Sequence, residues 1–159
     1  MEEALELLHD NHIPYELLKH EAVWNMADAT RIALPADLLA KNLLLRNKRT
    51  GMLYMNITTA ETKVNWSRLA RELSISRSSL TFASDDDLEA VLGVKSGIVT
   101  PLALMHDNDI SVTVLLDRQI EKMPKIGIHP NTNEATIFVT YADLLRILSL
   151  VNHEPIFID

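Results

Sequence analysis

The sequence predicts a single α+β (mixed α/β) domain over residues 1–159, built on a mixed, largely antiparallel sheet surrounded by helices. Three observations carry that expectation. Helix-period and strand-period segments alternate, but without the regular strand–helix–strand rhythm of a doubly wound sheet. Several strand-like runs are closely spaced, as antiparallel neighbours are. The 159 residues, 47% hydrophobic and 23% charged, have the size and composition of one ordinary globular unit.

The elements follow in order. Leu5, Leu7 and Leu8 among acidic residues make residues 2–11 a short amphipathic helix. Ile13-Pro14 ends it, because proline cannot continue a helix and restricts the residue before it. Residues 15–20 alternate and read as a strand. Asn25 caps a helix running to about Ile32, with Asp28 in its first turns. Residues 41–46 contain Leu43, Leu44 and Leu45 in a row, which suits a strand buried on both faces. The polar stretch 47–51 ends in Gly51 and reads as a hairpin loop, with residues 52–58 returning as a strand. Asn65 caps a helix through Leu73 that carries Leu69 and Leu73 on one face. Residues 80–83 form a brief strand. Ser84 followed by Asp85, Asp86 and Asp87 opens a helix, a capping hydroxyl with acids at the positive end of the dipole, and Gly93 closes it. Residues 94–101 are a loop. The β-branched run 110–116 is a central strand, and 135–139 another. Leu144, Leu145 and Leu148 define an amphipathic helix over 141–151, and residues 155–158 add a last strand.

Composition narrows the function classes. With no cysteine, disulfides and thiolate zinc sites are excluded. No apolar run approaches the ~20 residues of a membrane span, and the acidic start Met-Glu-Glu-Ala-Leu-Glu lacks the apolar stretch of a signal peptide. A soluble, cytoplasmic protein is expected, with no membrane partner. The net charge of −7 argues against nucleic acid until its distribution is considered. Residues 41–80 hold eight cations (Lys41, Arg46, Lys48, Arg49, Lys63, Arg68, Arg71, Arg77) against Glu61 and Glu72, a net +6 that leaves −13 elsewhere. A basic sector on an acidic body can attract phosphates locally; a solvated face of helix and hairpin charges reads the same way.

There is no P-loop, G-x-G-x-x-G, H-E-x-x-H or G-x-S-x-G motif, and four glycines are too few for a glycine-rich phosphate cradle. The six histidines show no spacing that commits to a metal, so no metal or cofactor is expected. Three features remain. Lys41-Asn42 opens an otherwise apolar strand; a lysine there holds a phosphate or stabilises charge developing on an ester carbonyl, unless it merely snorkels from a strand end. The loop Gly97-Ile98-Val99-Thr100-Pro101 joins a permissive glycine to a stiffening proline; it presents backbone N–H groups to a ligand or is a structural turn. His129, before Pro130 and a polar turn, and His20, at the end of the first strand, can bind substrate or move a proton, or can be structural.

These features occur in this order in one family. The pieces are His20-Glu21-Ala22-Val23, Lys41-Asn42-Leu43-Leu44-Leu45-Arg46, Leu80-Thr81-Phe82-Ala83-Ser84, Leu92-Gly93-Val94 through Gly97 to Pro101, Val114-Leu115-Leu116-Asp117, His129-Pro130 with Asn133, and Asn152-His153-Glu154-Pro155. Nearly the whole chain thereby resembles the YbaK/prolyl-tRNA-synthetase-associated editing domains, most of all the free-standing ProXp-ala and PrdX members. The resemblance implies their curved sheet surrounded by helices, and metal-independent hydrolysis of a mischarged aminoacyl-tRNA in trans. The expected substrate is Ala-tRNA(Pro), a case where an apolar pocket discriminates poorly against a smaller side chain and a second sieve is useful. It further implies that Lys41 is the residue needed for activity and that Asn42 matches the alanine-specific branch. It assigns Gly97, Ile98, Val99, Thr100 and Pro101 to the terminal adenosine and ester, and His129 to the pocket; His20, at the end of the first strand, is a further substrate-binding candidate. The acceptor end of proline tRNA would lie along Arg46, Lys48, Arg49, Lys63, Arg68 and Arg71, with prolyl-tRNA synthetase as a further partner. Asn25 stands where the family often has threonine, and Ala36 near where it often has glycine; both departures touch amino-acid specificity. The rival readings are a same-fold deacylase for Cys-tRNA(Pro) or Ser-tRNA, a non-catalytic tRNA- or synthetase-binding module, and an unrelated small-molecule binder.

Overall fold

The computed structural model describes residues 1–159, the side chain of Ser96 excepted. Its helices are α1 (Glu2–Asp10), α2 (Met26–Arg31), α3 (Trp66–Glu72), α4 (Asp85–Leu92) and α5 (Tyr141–Leu150), and its strands are β1 (Glu16–Lys19), β2 (Ala40–Asn47), β3 (Leu53–Thr59), β4 (Leu80–Phe82), β5 (Val112–Asp117), β6 (Ile126–Ile128), β7 (Ala135–Val139) and β8 (Ile156–Ile158). Each predicted cap forms. Asn25, Asn65 and Ser84 accept hydrogen bonds from the backbone N–H groups of Asp28, Arg68 and Asp87. Asp87 returns a bond to the Ser84 N–H, completing a capping box, and Gly93 ends α4 at φ 67°.

The strands form a five-stranded sheet in the order β4-β2-β3-β5-β8 and a three-stranded one in the order β1-β7-β6. Four of the six strand pairings are antiparallel; β5 lies parallel to both β3 and β8. An isolated bridge between Leu39 and Gly127 joins the sheets into one curved, mixed surface. The fold is thus the mixed α/β one the sequence predicted.

The Leu43-Leu44-Leu45 run is explained by two cores. Successive strand residues point to opposite faces. Leu44 enters the main core with Met55, Ile57, Ile126, Ile137 and the inner faces of α1, α4 and α5. Leu45 enters a second core with Tyr54, Leu80 and Leu69 of α3. A third, smaller cluster of Val23, Ala29, Leu34, Leu39 and Phe138 lies under α2.

The strand expected over 110–116 begins two residues later. Ile110 takes φ 52°, and the Asp107 carboxylate turns the chain by accepting the N–H groups of Ser111 at 3.1 Å and Val112 at 2.9 Å. The same carboxylate accepts the Ser111 hydroxyl at 2.7 Å and the Nε2–H of buried His153 at 2.8 Å. It therefore ties the turn before β5 to the segment before β8. Two segments not read from the sequence, Pro101–His106 and Arg118–Lys122, are 3₁₀ turns. Among the described residues no helix is long and apolar enough to cross a membrane.

Candidate active site

A cavity of about 300 Å³ opens at the seam where the two sheets meet. Its lining is largely apolar, with Ala29, Leu34 and Leu39, and includes the polar side chains of Lys41, Asn42 and His129. Such a site is large enough for a small-molecule-sized group and offers few, placed polar atoms.

Lys41 and Asn42 are neighbours but point apart. Asn42 shares the face of Leu44 and looks towards the cavity side, whereas Lys41 shares the face of Leu45, under α3. Both line the cavity because it lies at the end of β2. The Lys41 Nζ donates to the carbonyl of Thr62, and partial burial holds the ammonium below its ordinary pKa. The lysine is tethered, not snorkelling freely. An ammonium has three donors, so two remain for a ligand. The Asn42 Oδ1 is buried and has no partner among the described residues.

His129 is oriented on both its backbone and its ring. The Thr100 hydroxyl, fully buried, donates to the His129 carbonyl at 2.6 Å, and the His129 Nδ1 donates to the Ala135 carbonyl at 3.0 Å. With Nδ1 carrying the proton, Nε2 is left as the acceptor. Burial lowers the imidazole pKa; the bond to Ala135 opposes this, and the nearby His20 lowers it further. His20 itself does not line the cavity. Its Nδ1 meets the Glu21 carbonyl at 2.7 Å, so its Nε2 accepts the Thr136 hydroxyl at 2.8 Å. Thr136 and His129 do line the cavity, so His20 acts on it through the Thr136 contact and through its nearness to His129.

The 97–101 loop reaches the cavity in part. Gly97 and Val99 line the cavity, but Thr100 and Pro101 are buried and Ile98 packs on the main core. The Ile98 N–H is bonded to the Lys95 carbonyl at 2.9 Å and Pro101 has no N–H, so neither of these two offers a backbone donor to an ester. The glycine is needed for packing. A Cβ at Gly97 would stand 2.8 Å from the Trp24 ring, 3.0 Å from its Cα and 3.1 Å from its carbonyl. Trp24, 51% exposed at the mouth, and the wall residues Val23, Met26, Gly127 and Thr136 were not singled out from the sequence. They come from segments far apart in the chain.

The basic sector divides. Lys63 and Arg68 lie beyond the β3 end that pairs with the start of β2, close to Lys41. Lys48 and Arg49 are exposed at the hairpin at the other end of that strand pair, and Arg46 is held by Asp87 at 2.8 Å. Arg71 is exposed in the last turn of α3. Among the described residues no group of three or more His, Asp and Glu side chains comes together as a metal site.

Comparison with known proteins gives this geometry its context. The chain is 29% identical over 137 residues to the prolyl-tRNA editing protein ProX of Acetoanaerobium sticklandii, covering 86% of this chain and 82% of that protein. It is 31% identical over 157 residues to the prolyl-tRNA synthetase associated domain-containing protein 1 of Danio rerio, covering 97% and 84%. The crystal structure of a candidate trans-editing enzyme for prolyl tRNA synthetase superposes with a TM-score of 0.73 at 18% identity over 99% of this chain and 92% of that one, which shows a shared fold. A family model described as "Aminoacyl-tRNA editing domain" matches residues 20–147. The protein belongs to this aminoacyl-tRNA editing family, the YbaK and prolyl-tRNA-synthetase-associated type of domain.

Proposed function

We propose that the protein is a trans-editing deacylase that hydrolyses mischarged Ala-tRNA(Pro) in the cytoplasm. The observation that carries this reading is a single apolar cavity lined by Lys41, Asn42 and His129 together, in a chain of the editing family. The largely apolar lining suits an alanyl side chain. The Asn42 Oδ1 accepts from the substrate's α-ammonium, which is the donor it lacks. Water attacks the ester carbonyl with the His129 Nε2 as its hydrogen-bond acceptor, and Lys41 stabilises the negative charge on the carbonyl oxygen. The carbon–oxygen bond to the ribose then breaks, the ribose oxygen takes a proton, and alanine leaves. The neighbouring ribose hydroxyl can assist the attack. No protein nucleophile takes part; the chain has no cysteine.

The test is a panel of Ala-, Cys- and Ser-charged tRNA(Pro), with Ala-tRNA(Ala) as a control. Faster loss of alanine from tRNA(Pro) than of cysteine or serine is expected. Preference for cysteine or serine replaces the substrate; binding without turnover replaces the enzyme by a binding module.

The pH dependence is a second expectation. Activity needs His129 neutral and Lys41 charged. Because the folded pKa of His129 is lowered, kcat/KM rises with pH through a point below the ordinary 6.5. Because that of Lys41 is also lowered, activity falls again through a point below 10.5. His129→Asn is expected to abolish the acid limb and keep the alkaline one; an unchanged acid limb would remove the histidine from the reaction.

A further inference from the structure

Three consecutive residues at the start of β7 hold a pair of histidines. The Glu134 carbonyl accepts the backbone N–H of His20 at 2.9 Å. The Ala135 carbonyl accepts the His129 Nδ1–H at 3.0 Å, and the Thr136 hydroxyl donates to the His20 Nε2 at 2.8 Å. The ladder that sets Leu18 opposite Thr136 and Lys19 opposite Ala135 delivers His20 to this place, although 109 positions separate it from His129 in the chain. The two rings stand 6.4 Å apart, centroid to centroid, and are tilted by 58°.

The surroundings of the two rings differ. His20 is half-buried and has a partner at each ring nitrogen, the Glu21 carbonyl and the Thr136 hydroxyl. A hydroxyl accepts as readily as it donates, so both contacts survive when His20 carries a second proton. His129 lies in the cavity wall, where burial penalises its charged form. No carboxylate lines that cavity among the described residues; Lys41, from β2, is its only other titratable side chain, and it is a cation. Of the carboxylates near His20 in the chain or in space, Glu21 pairs with Arg31 at 3.2 Å, Asp28 accepts the Trp24 N–H at the start of α2, and Glu134 is exposed. Lys19, beside His20, is exposed as well. A proton on His20 therefore faces His129 with no anion between them, and like charges at this separation oppose one another.

We propose that His20 is a positioning residue for the reaction: fixed between Glu21 and Thr136, it keeps His129 from taking up a proton and so preserves the His129 Nε2 as the acceptor for the attacking water. The inference rests on the editing reading and adds a residue that touches neither water nor ester. Two imidazoles held this close titrate as a pair, and the charge on one is felt by the other. The shared frame on β7 keeps the distance constant, because a shift of that strand moves the partners of both rings together.

The experiment has one readout without substrate and one with it. His20→Gln keeps a side chain able to bond to Thr136 but removes the titrating ring; His20→Asn serves if that variant does not fold. In the free protein, the His129 ring is titrated by NMR. Its midpoint is expected to move to higher pH in the variant than in the wild type, because the opposing charge is gone. In deacylation, the acid limb of kcat/KM is expected to move the same way, so that the ratio of kcat/KM at pH 8 to that at pH 5 grows several-fold over the wild-type ratio. A His129 midpoint that stays in place or moves to lower pH in a folded variant overturns the proposal. So does a loss of kcat/KM that is equal at every pH, which is what a purely structural role of His20 predicts. If the midpoint moves as expected but the wild type deacylates no charged tRNA, the histidine coupling stands and the catalytic reading falls.

Discussion

Lys41→Ala is expected to slow single-turnover deacylation of the charged tRNA by roughly 10²–10³-fold, the usual effect of removing one donor to a developing oxyanion. The geometry makes this a clean experiment. The side chain is only partly buried and makes a single protein hydrogen bond, to the Thr62 carbonyl, so its loss should cost the fold no more than about 1 kcal/mol. The rate change and the stability change are therefore separable. Lys41→Arg keeps the charge but replaces a compact ammonium by a planar fork, and is expected to restore only part of the rate. Deacylation by Lys41→Ala at the wild-type rate would falsify the assignment.

The largest expected effect on stability lies far from the cavity, at Asp107. Its carboxylate receives four hydrogen bonds: two from Ser111, one from Val112 and one from His153. The His153 side chain is fully buried, with Nδ1 on the Val151 carbonyl and Nε2 on Asp107. Both ring nitrogens thus face acceptors. Asp107→Ala is expected to destabilise the protein by about 3–5 kcal/mol, as breaking one side of a buried pair does. Asp107→Asn should be nearly as harmful, because its amide would turn a donor towards donors. Denaturant unfolding of both variants measures this; a midpoint unchanged in Asp107→Ala rejects the network as a structural tie. The pH dependence has a definite sign. Burial raises the Asp107 pKa, but the bonds from Ser111, His153 and Val112 together hold it below the ordinary carboxylate value. Its contribution is complete above the unfolded pKa and is lost as pH falls through the lower folded one.

Local signals in the sequence proved legible wherever the physics is local. Asn25, Asn65, Ser84 and Gly93 delimit helices by hydrogen bonds and backbone angles that span four residues or fewer, and each was readable. The triple leucine of β2 correctly implied a strand with two buried faces. The strand at 110 was placed early because β-branching favours extension there, while Asp107 draws the chain into a turn through side-chain bonds that no propensity contains. The packing role of Gly97 was not legible for a similar reason. The need for glycine comes from Trp24, a contact invisible without the fold. Thr136 and Trp24 escaped notice because neither has a local motif; they reach the cavity by sheet pairing and by the path of the chain before α2.

The bridge between Leu39 and Gly127 bears on how the cavity keeps its width. A Cβ at Gly127 would lie 2.8 Å from Leu39 and 3.1 Å from the Leu38 carbonyl across the join of the two sheets, and 3.0 Å from the ring of Phe138, its own partner in the β6–β7 ladder. The aperture is therefore set by atoms that are missing. A single methyl group there would act as a shim, pressing on Leu39 across the join and on Phe138 within the ladder, and the mouth holding Asn42 and His129 would change shape without either residue being touched.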